Sequence, residues 1–364
     1  MPVRLTVFDR SMLSCLICLC LLTACEDEGP PTGYEPTPYK LEVGNLPQPV
    51  LPQDNKLTEE GVQLGRMLFY EKAMSKDGTI SCADCHQQKD MFSDIRPFSE
   101  GVGGKFGHRQ AMAAFNLAWH PRGFFWDGRA ATLREQALKP IQDSLEMNET
   151  LDNVIGKLSA MQMYRDQFTR AFGTPDITAD RIGLAIEQFE LTIVSSHSKY
   201  DLFQQGQATL TESEERGRQL FFANADPLAG IPGGECVHCH AGPNFATDFF
   251  VNNGLDRDVD FTDLGRFNIT GLPSDMAVFK VPSLRNIALT APYMHDGRFN
   301  TLEEVIDHYN TGVKHSTTVH HSMEHNLHHG GLLLSAQDRA DLVAFLHTLT
   351  DETLLTDERY ASPF

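Results

Sequence analysis

Two short segments carry the same chemistry. Cys82-Ala83-Asp84-Cys85-His86 and Cys236-Val237-His238-Cys239-His240 both read Cys-x-x-Cys-His, the pattern by which c-type haem is attached. Thiols three residues apart fall on one side of a short turn and can add to the two haem vinyl groups. The histidine that follows then sits beneath the iron as proximal ligand. Half a zinc site or a redox dithiol would use the same spacing. Repetition of the whole five-residue pattern, histidine included, favours two covalently bound haems. It also uses every cysteine after Cys25, so no disulfide is expected.

The residues that follow each motif differ where chemistry would need them to. Asp127-Gly128-Arg129 and Asp296-Gly297-Arg298 align the two halves. Thirteen positions beyond each aspartate stand Pro140 and Tyr309. A tyrosinate can ligate ferric iron. Proline cannot ligate, so the first iron would keep an open position. Gln136 and Glu146 flank Pro140. A carboxylate beside an open iron can move a proton between the two oxygens of a peroxide, and an amide can order peroxide or water.

Positioning these groups falls to a repeated frame. Gly65-Arg66-Met67-Leu68-Phe69 lies 17 residues before Cys82, and Gly217-Arg218-Gln219-Leu220-Phe221 lies 19 before Cys236. Asn116-Leu117-Ala118 and Asn286-Ile287-Ala288 recur in register. So do Thr132 with Glu135 and Thr301 with Glu304, each a capping box that starts a helix. Thr211 with Glu214 is another. Ile182, Ile186, Phe189 and Ile193 follow helical spacing, as do Leu342, Phe345, Leu346 and Leu349. The expected fold class is all-α: two cytochrome c-like haem domains from an internal duplication. Their boundary is expected between Lys199 and Leu210, giving an N-terminal peroxidatic domain over 51–203 and a C-terminal electron-transfer domain over 204–364.

At these residues the chain resembles the bacterial di-haem cytochrome c peroxidases, a family that includes the MauG-type enzymes. The likeness runs from about residue 55 to 351. It is carried by Phe125-Trp126-Asp127-Gly128-Arg129, Glu135-Gln136-Ala137, Pro140, Glu146-Met147, Phe279-Lys280-Val281-Pro282-Ser283-Leu284-Arg285-Asn286 and Pro292-Tyr293-Met294-His295-Asp296-Gly297. The resemblance implies that hydrogen peroxide reacts at the N-terminal haem. Glu146 would then be the catalytic glutamate, Gln136 the active-site glutamine, and Trp126 the tryptophan between the haems. Electrons would enter at the C-terminal haem from a small redox protein such as a cytochrome c or cupredoxin.

Two positions depart from the standard peroxidases. Sixteen residues after His86, where they carry a movable histidine ligand, stands Val102; His108 is nearby but out of register. Tyr309 falls where they place a methionine ligand and MauG-type enzymes a tyrosine, with Met294 as the alternative. These departures favour the second reading, an oxidase acting on a protein substrate. A non-catalytic electron-transfer lipoprotein is the third, and it has no use for an open iron beside Glu146 and Gln136. The family's inter-domain calcium uses an asparagine where Gln110 aligns. The family often forms homodimers.

The remaining features concern placement. Arg4 and Arg10 precede the apolar run from Met12 to Leu22, which is too short to span a bilayer and suits a signal peptide over 1–24. Leu22-Thr23-Ala24-Cys25 resembles a lipobox, so Cys25 is expected to be lipidated and to anchor an exported, periplasmic protein to the membrane. Residues 25–50, with Pro30, Pro31, Pro36 and Pro38 near the start, read as a Pro-rich tether. The 364 residues suit two domains, and 41% hydrophobic against 22% charged residues suits a globular chain. A net charge of −19, from 30 basic and 49 acidic residues, argues against nucleic acid as a partner and suits a basic redox protein. His315, His320, His321, His325, His328 and His329 crowd one stretch. It reads as a solvated polar loop, with a second metal site as the alternative.

Overall fold

The computed structural model describes residues 1–2, 33–120, 123–226, 228–247 and 249–364. The signal segment and Cys25 lie outside the described residues. The fold is helical. Its helices are α1 (Glu59–Tyr70), α2 (Cys82–Cys85), α3 (Leu133–Gln142), α4 (Leu151–Ala160), α5 (Gln162–Phe172), α6 (Ala179–Thr192) and α7 (Lys199–Gln204), then α8 (Glu212–Phe222), α9 (Phe267–Thr270), α10 (Leu302–Asp307), α11 (His321–His328) and α12 (Ala336–His347). One small antiparallel ladder pairs β1 (Phe250–Val251) with β2 (Phe279–Lys280). Among the described residues no helix is long and apolar enough to cross a membrane.

Two helix pairs organise the halves. Leu64, Met67 and Leu68 of α1 meet Ile182, Ala185 and Ile186 of α6, with Leu158 and Phe168 closing the cluster. Leu220 and Phe221 of α8 meet Leu342, Phe345 and Leu346 of α12 in the same manner. Each pair crosses at a glycine. A Cβ on Gly65 would overlap the Ala185 carbonyl, and one on Gly217 the Asp341 carbonyl. Close backbone approach is thus built into Gly-Arg-x-Leu-Phe in both halves.

The helix starts follow the expected caps. Thr211 with Glu214 and Thr301 with Glu304 form complete capping boxes. Thr132 accepts from the Glu135 N–H, while the Glu135 carboxylate accepts from Ala131 N–H instead. Asn116 and Asn286 both take left-handed backbone, with φ of 52° and 56°. Asn116 Oδ1 accepts from Ser195 N–H and Asn286 Oδ1 from Asp351 N–H, each at 2.7 Å.

Three segments pack differently from the sequence expectation. The part of the tether that is described is not a free spacer. Thr37 and Tyr39 exchange backbone hydrogen bonds with Glu59 and Leu57, and Val43 and Leu46 are buried against Val194. Short apolar residues among the prolines supply that contact. Helix α7 starts at Lys199, ahead of the division drawn at 203/204, and buries Tyr200 in the second core. The last dozen residues return to the first half: Tyr360 Oη donates to Thr192 O at 2.8 Å, and Tyr70 Oη to Tyr360 O at 2.7 Å.

Candidate active site

A single cavity of about 1180 Å³ runs between the two Cys-x-x-Cys-His segments. It exceeds the usual size of a small-molecule site, about 300–1,000 Å³. Cys85 and His86 line one end, and Cys236, Cys239 and His240 the other. Cys82 is packed against the cluster of Phe69, Met91 and Phe92. All four thiols are unbonded to one another.

The two imidazoles are held alike. His86 Nδ1 stands 3.0 Å from Phe92 O, and His240 Nδ1 stands 3.2 Å from Phe245 O. A carbonyl acceptor at Nδ1 requires the proton there, which leaves the lone pair on Nε2 for a metal. Removal from bulk water lowers both pKa values, that of His240 to about 4. Both rings are therefore neutral at pH 7, the form that ligates. Cavity, thiols and tautomers fit two haems.

At the His86 end, α3 brings Gln136 and Pro140 to the wall, and the turn after it brings Glu146. Glu146 N–H donates to Asp143 O at 3.1 Å, and Glu146 O accepts from Val102 N–H at 2.8 Å. Burial, with the Asp143 charge behind it and Arg129 opposing, pushes the Glu146 carboxyl up to about 7. Val102 is buried and brings no imidazole. His108 is exposed on the cavity rim.

Trp126 lies where the halves meet, packed with Met112 on one side and Ala277 and Phe279 on the other. Its indole Nε1 donates to Gln110 O at 2.8 Å, and its carbonyl accepts from Lys280 N–H at 2.7 Å. Arg109 joins Asp127 of the first half to Asp263 of the second. The Gln110 amide donates to Ser93 Oγ and Asp94 O. Its nitrogen is thus committed to the first half, and among the described residues no group of three His, Cys, Asp or Glu side chains forms a metal site.

At the His240 end Tyr309 lies in a π-helical turn, His308–Gly312, that continues α10; such turns recur at functional sites. Met294 has φ of +75°. Asn253 Nδ2 stands 3.2 Å from Tyr309 Oη and 3.4 Å from Met294 Sδ. Both expected ligands therefore reach the same wall. Enclosure pushes the Tyr309 phenol up to about 12, with the Asn253 hydrogen bond opposing.

The sequence reading passed over three residues here. Asn253, in Asn252-Asn253-Gly254, looks like ordinary turn chemistry. His120 is buried and neutral, with Nε2 2.7 Å from Asn244 Nδ2. Glu190 lies on the cavity wall with Oε2 unpaired. Its carboxyl is pushed up to about 8 by burial and then by Glu187. A charged residue between Ile186 and Ile193 on an otherwise apolar helix face was the available signal.

Comparison with known proteins agrees with this geometry. The sequence profile described as di-haem cytochrome c peroxidase matches residues 59–209. The methylamine utilization protein MauG of Methylorubrum extorquens is 35% identical over 303 residues, 83% of this chain and 81% of that protein. The cytochrome c551 peroxidase of Nitrosomonas europaea is 37% identical over 248 residues, 67% of this chain and 71% of that protein. A solved structure, a MauG-like protein associated with microbial copper homeostasis, superposes with a TM-score of 0.80 at 36% identity, covering 89% of this chain and 99% of its own. With both Cys-x-x-Cys-His segments opening into one cavity, the chain belongs to the di-haem cytochrome c peroxidase family, MauG-type proteins included.

Proposed function

We propose that the chain reduces hydrogen peroxide beside His86, with electrons that enter beside His240 and pass Trp126. The observation that carries this reading is Glu146: a carboxyl on the wall of the His86 pocket, with its pKa near 7, beside an α3 that offers Pro140 where a ligand would stand. Cys82, Cys85, Cys236 and Cys239 would hold two haems by thioether bonds, and His86 and His240 would ligate their irons. The haems supply redox-active iron that exchanges electrons with peroxide and with the donor.

The chain's own groups do the rest. The Glu146 carboxylate accepts the proton of one peroxide oxygen and returns it to the other as the O–O bond breaks. The Gln136 amide orders peroxide for that transfer. Pro140, with no donor or ligating atom, leaves the space open. The reaction balances as hydrogen peroxide, two electrons and two protons giving two waters. Trp126 bridges the halves, with its indole bound to the first half through Gln110 and its carbonyl to the second through Lys280.

In the first reading the electrons come from a small redox protein, basic enough to be steered by the −19 charge. The second reading, MauG-type oxidation of a protein substrate, is favoured by Tyr309. An anionic oxygen ligand stabilises ferric and higher states and lowers the potential. The likeness to MauG of Methylorubrum extorquens and to a solved MauG-like protein supports it. Steady-state turnover with reduced cytochrome c separates the two. Fast turnover supports the first; a peroxide-oxidised state that decays only with a protein substrate supports the second. No reaction with peroxide at all overturns both.

Matched glycine crossings, left-handed asparagines and histidine tautomers support reading the halves as copies of one haem unit. Their division would then fall ahead of α7. Export, and a lipid anchor at Cys25 in the periplasm, complete the proposal.

A further inference from the structure

Glu190 is a buried carboxyl that its surroundings leave unsatisfied. It stands on α6, 5% exposed, and lines the cavity. Oε2 is buried with no hydrogen-bond partner. Its charge reaches the Cys82 thiol, which burial and then Glu190 push up, so it belongs to the His86 end.

The second half has no counterpart. At the first helix crossing Gly65 meets Ala185 and Phe189, and at the second Gly217 meets Asp341 and Phe345. The residue after each phenylalanine is Glu190 in one half and Leu346 in the other. Both line the cavity. The same helix crossing therefore packs with an apolar side chain at this position, and the fold does not call for a carboxyl there.

The charged groups around Glu190 do not hold it ionised. Glu187 lies one turn back on α6, and Arg134 of α3 is committed to Glu187 at 2.7 Å and to Asp54 at 2.8 Å. Arg66 of α1 turns away to the carbonyls of Glu358 and Ala361. Cys82 is the thiol of α2 nearest in charge. His120, which also lines the cavity, is neutral. Glu146 and Arg129 line the cavity too, and Arg129 is paired with Asp127.

We propose that Glu190 is a proton store for the first haem: it takes one proton from solvent for each electron that arrives beside His86 and returns it when the electron leaves. In a low-dielectric wall an added electron raises the proton affinity of a nearby carboxyl that no cation stabilises. One electron from the donor and one proton from solvent leave the charge of the pocket unchanged. Burial and Glu187 bring this carboxyl to about 8, which puts the exchange between about pH 7 and pH 9. Glu190 is a positioning residue, acting on the iron through charge. The inference rests on a haem being held at His86 and not on peroxide being the substrate.

The test is anaerobic potentiometry of the full holoprotein from about pH 6 to about pH 9, with electron paramagnetic resonance separating the two ferric signals. The potential of the His86 haem should fall as pH rises, by up to about 59 mV per pH unit, the one-electron equivalent of a tenfold change. Glu190→Gln, a mimic of the protonated form, should remove that fall and match the parent at the acid end. Glu146→Gln should retain it. A fall kept in Glu190→Gln, a fall lost only in Glu146→Gln, or a parent potential that ignores pH overturns the proposal. Infrared difference spectra of the parent decide independently of any variant's folding. Reduction should add a protonated-carboxyl band that shifts in D2O; no such band overturns the proposal. Absence of two covalent haems in a pyridine haemochrome assay would overturn the haem reading and this inference together, whereas a pH-independent potential in the loaded chain overturns this inference alone.

Discussion

Asn253 turns its side-chain amide onto the Tyr309 hydroxyl, Nδ2 to Oη at 3.2 Å. That hydrogen bond favours the phenolate and opposes the enclosure that favours the phenol. It would thus keep Tyr309 competent as the anionic ligand proposed for the second iron. Tyr309→Phe should change the optical spectrum of the His240 haem and raise its reduction potential. Asn253→Ala should shift the potential in the same direction by less. A spectrum unmoved by Tyr309→Phe would return the role to Met294, 3.4 Å from the same amide.

Glu146 gives a pH dependence with a definite sign. Burial raises its pKa to about 7, and the proton-accepting form is the carboxylate. The bimolecular rate of the peroxide reaction should therefore rise between about pH 6 and pH 8 and level off above. Rapid mixing across that range measures it. A rate that falls through pH 7 would assign the residue to a different step.

Arg285 and Asp201 form a buried pair, 2% and 0% exposed, with two hydrogen bonds of 2.8 and 2.9 Å. The Arg285 guanidinium holds the Asp201 carboxyl below its usual range against burial. The pair ties α7 to the loop before Asn286. Arg285→Ala leaves a buried carboxylate unpaired and should cost about 3–5 kcal/mol of stability, read by denaturant unfolding of the holoprotein. A cost below about 1 kcal/mol would mean the site opens to water.

The glycine crossings should be intolerant. Gly217→Ala puts a methyl against the Asp341 carbonyl and Gly65→Ala one against Ala185. Each should separate its helix pair and destabilise by about 1–3 kcal/mol or more. Equal tolerance to alanine and parent glycine in thermal melts would contradict the close crossing.

The cavity ends that the Cys-x-x-Cys-His segments line were legible because the covalent haem attachment proposed for them demands fixed spacing. Cys82, Cys85, His86 and their counterparts announce themselves without a fold. Pro140 and Tyr309 were legible only because the halves align on Asp-Gly-Arg. Asn253 was not, since its amide acts through space from a loop with no periodicity. The spacer expected over 25–50 packs from Thr37 onward because Val43 and Leu46 find an apolar partner that composition does not reveal. The histidine-rich stretch reads as a solvated polar loop from its composition, and imidazole's weak helix propensity agrees with that, yet residues 321–328 form α11. The helix forms with its apolar face, Met323 and Leu327, on the cavity, which overrides that propensity.

The most direct measurement is rapid mixing of the purified holoprotein with hydrogen peroxide, parent against Glu146→Gln, followed in the haem absorption bands. The account predicts a fast spectral change in the parent and one slowed about 100-fold or more in the variant, with unaltered resting spectra. An unchanged rate in Glu146→Gln, or resting haems that ignore peroxide altogether, would contradict it.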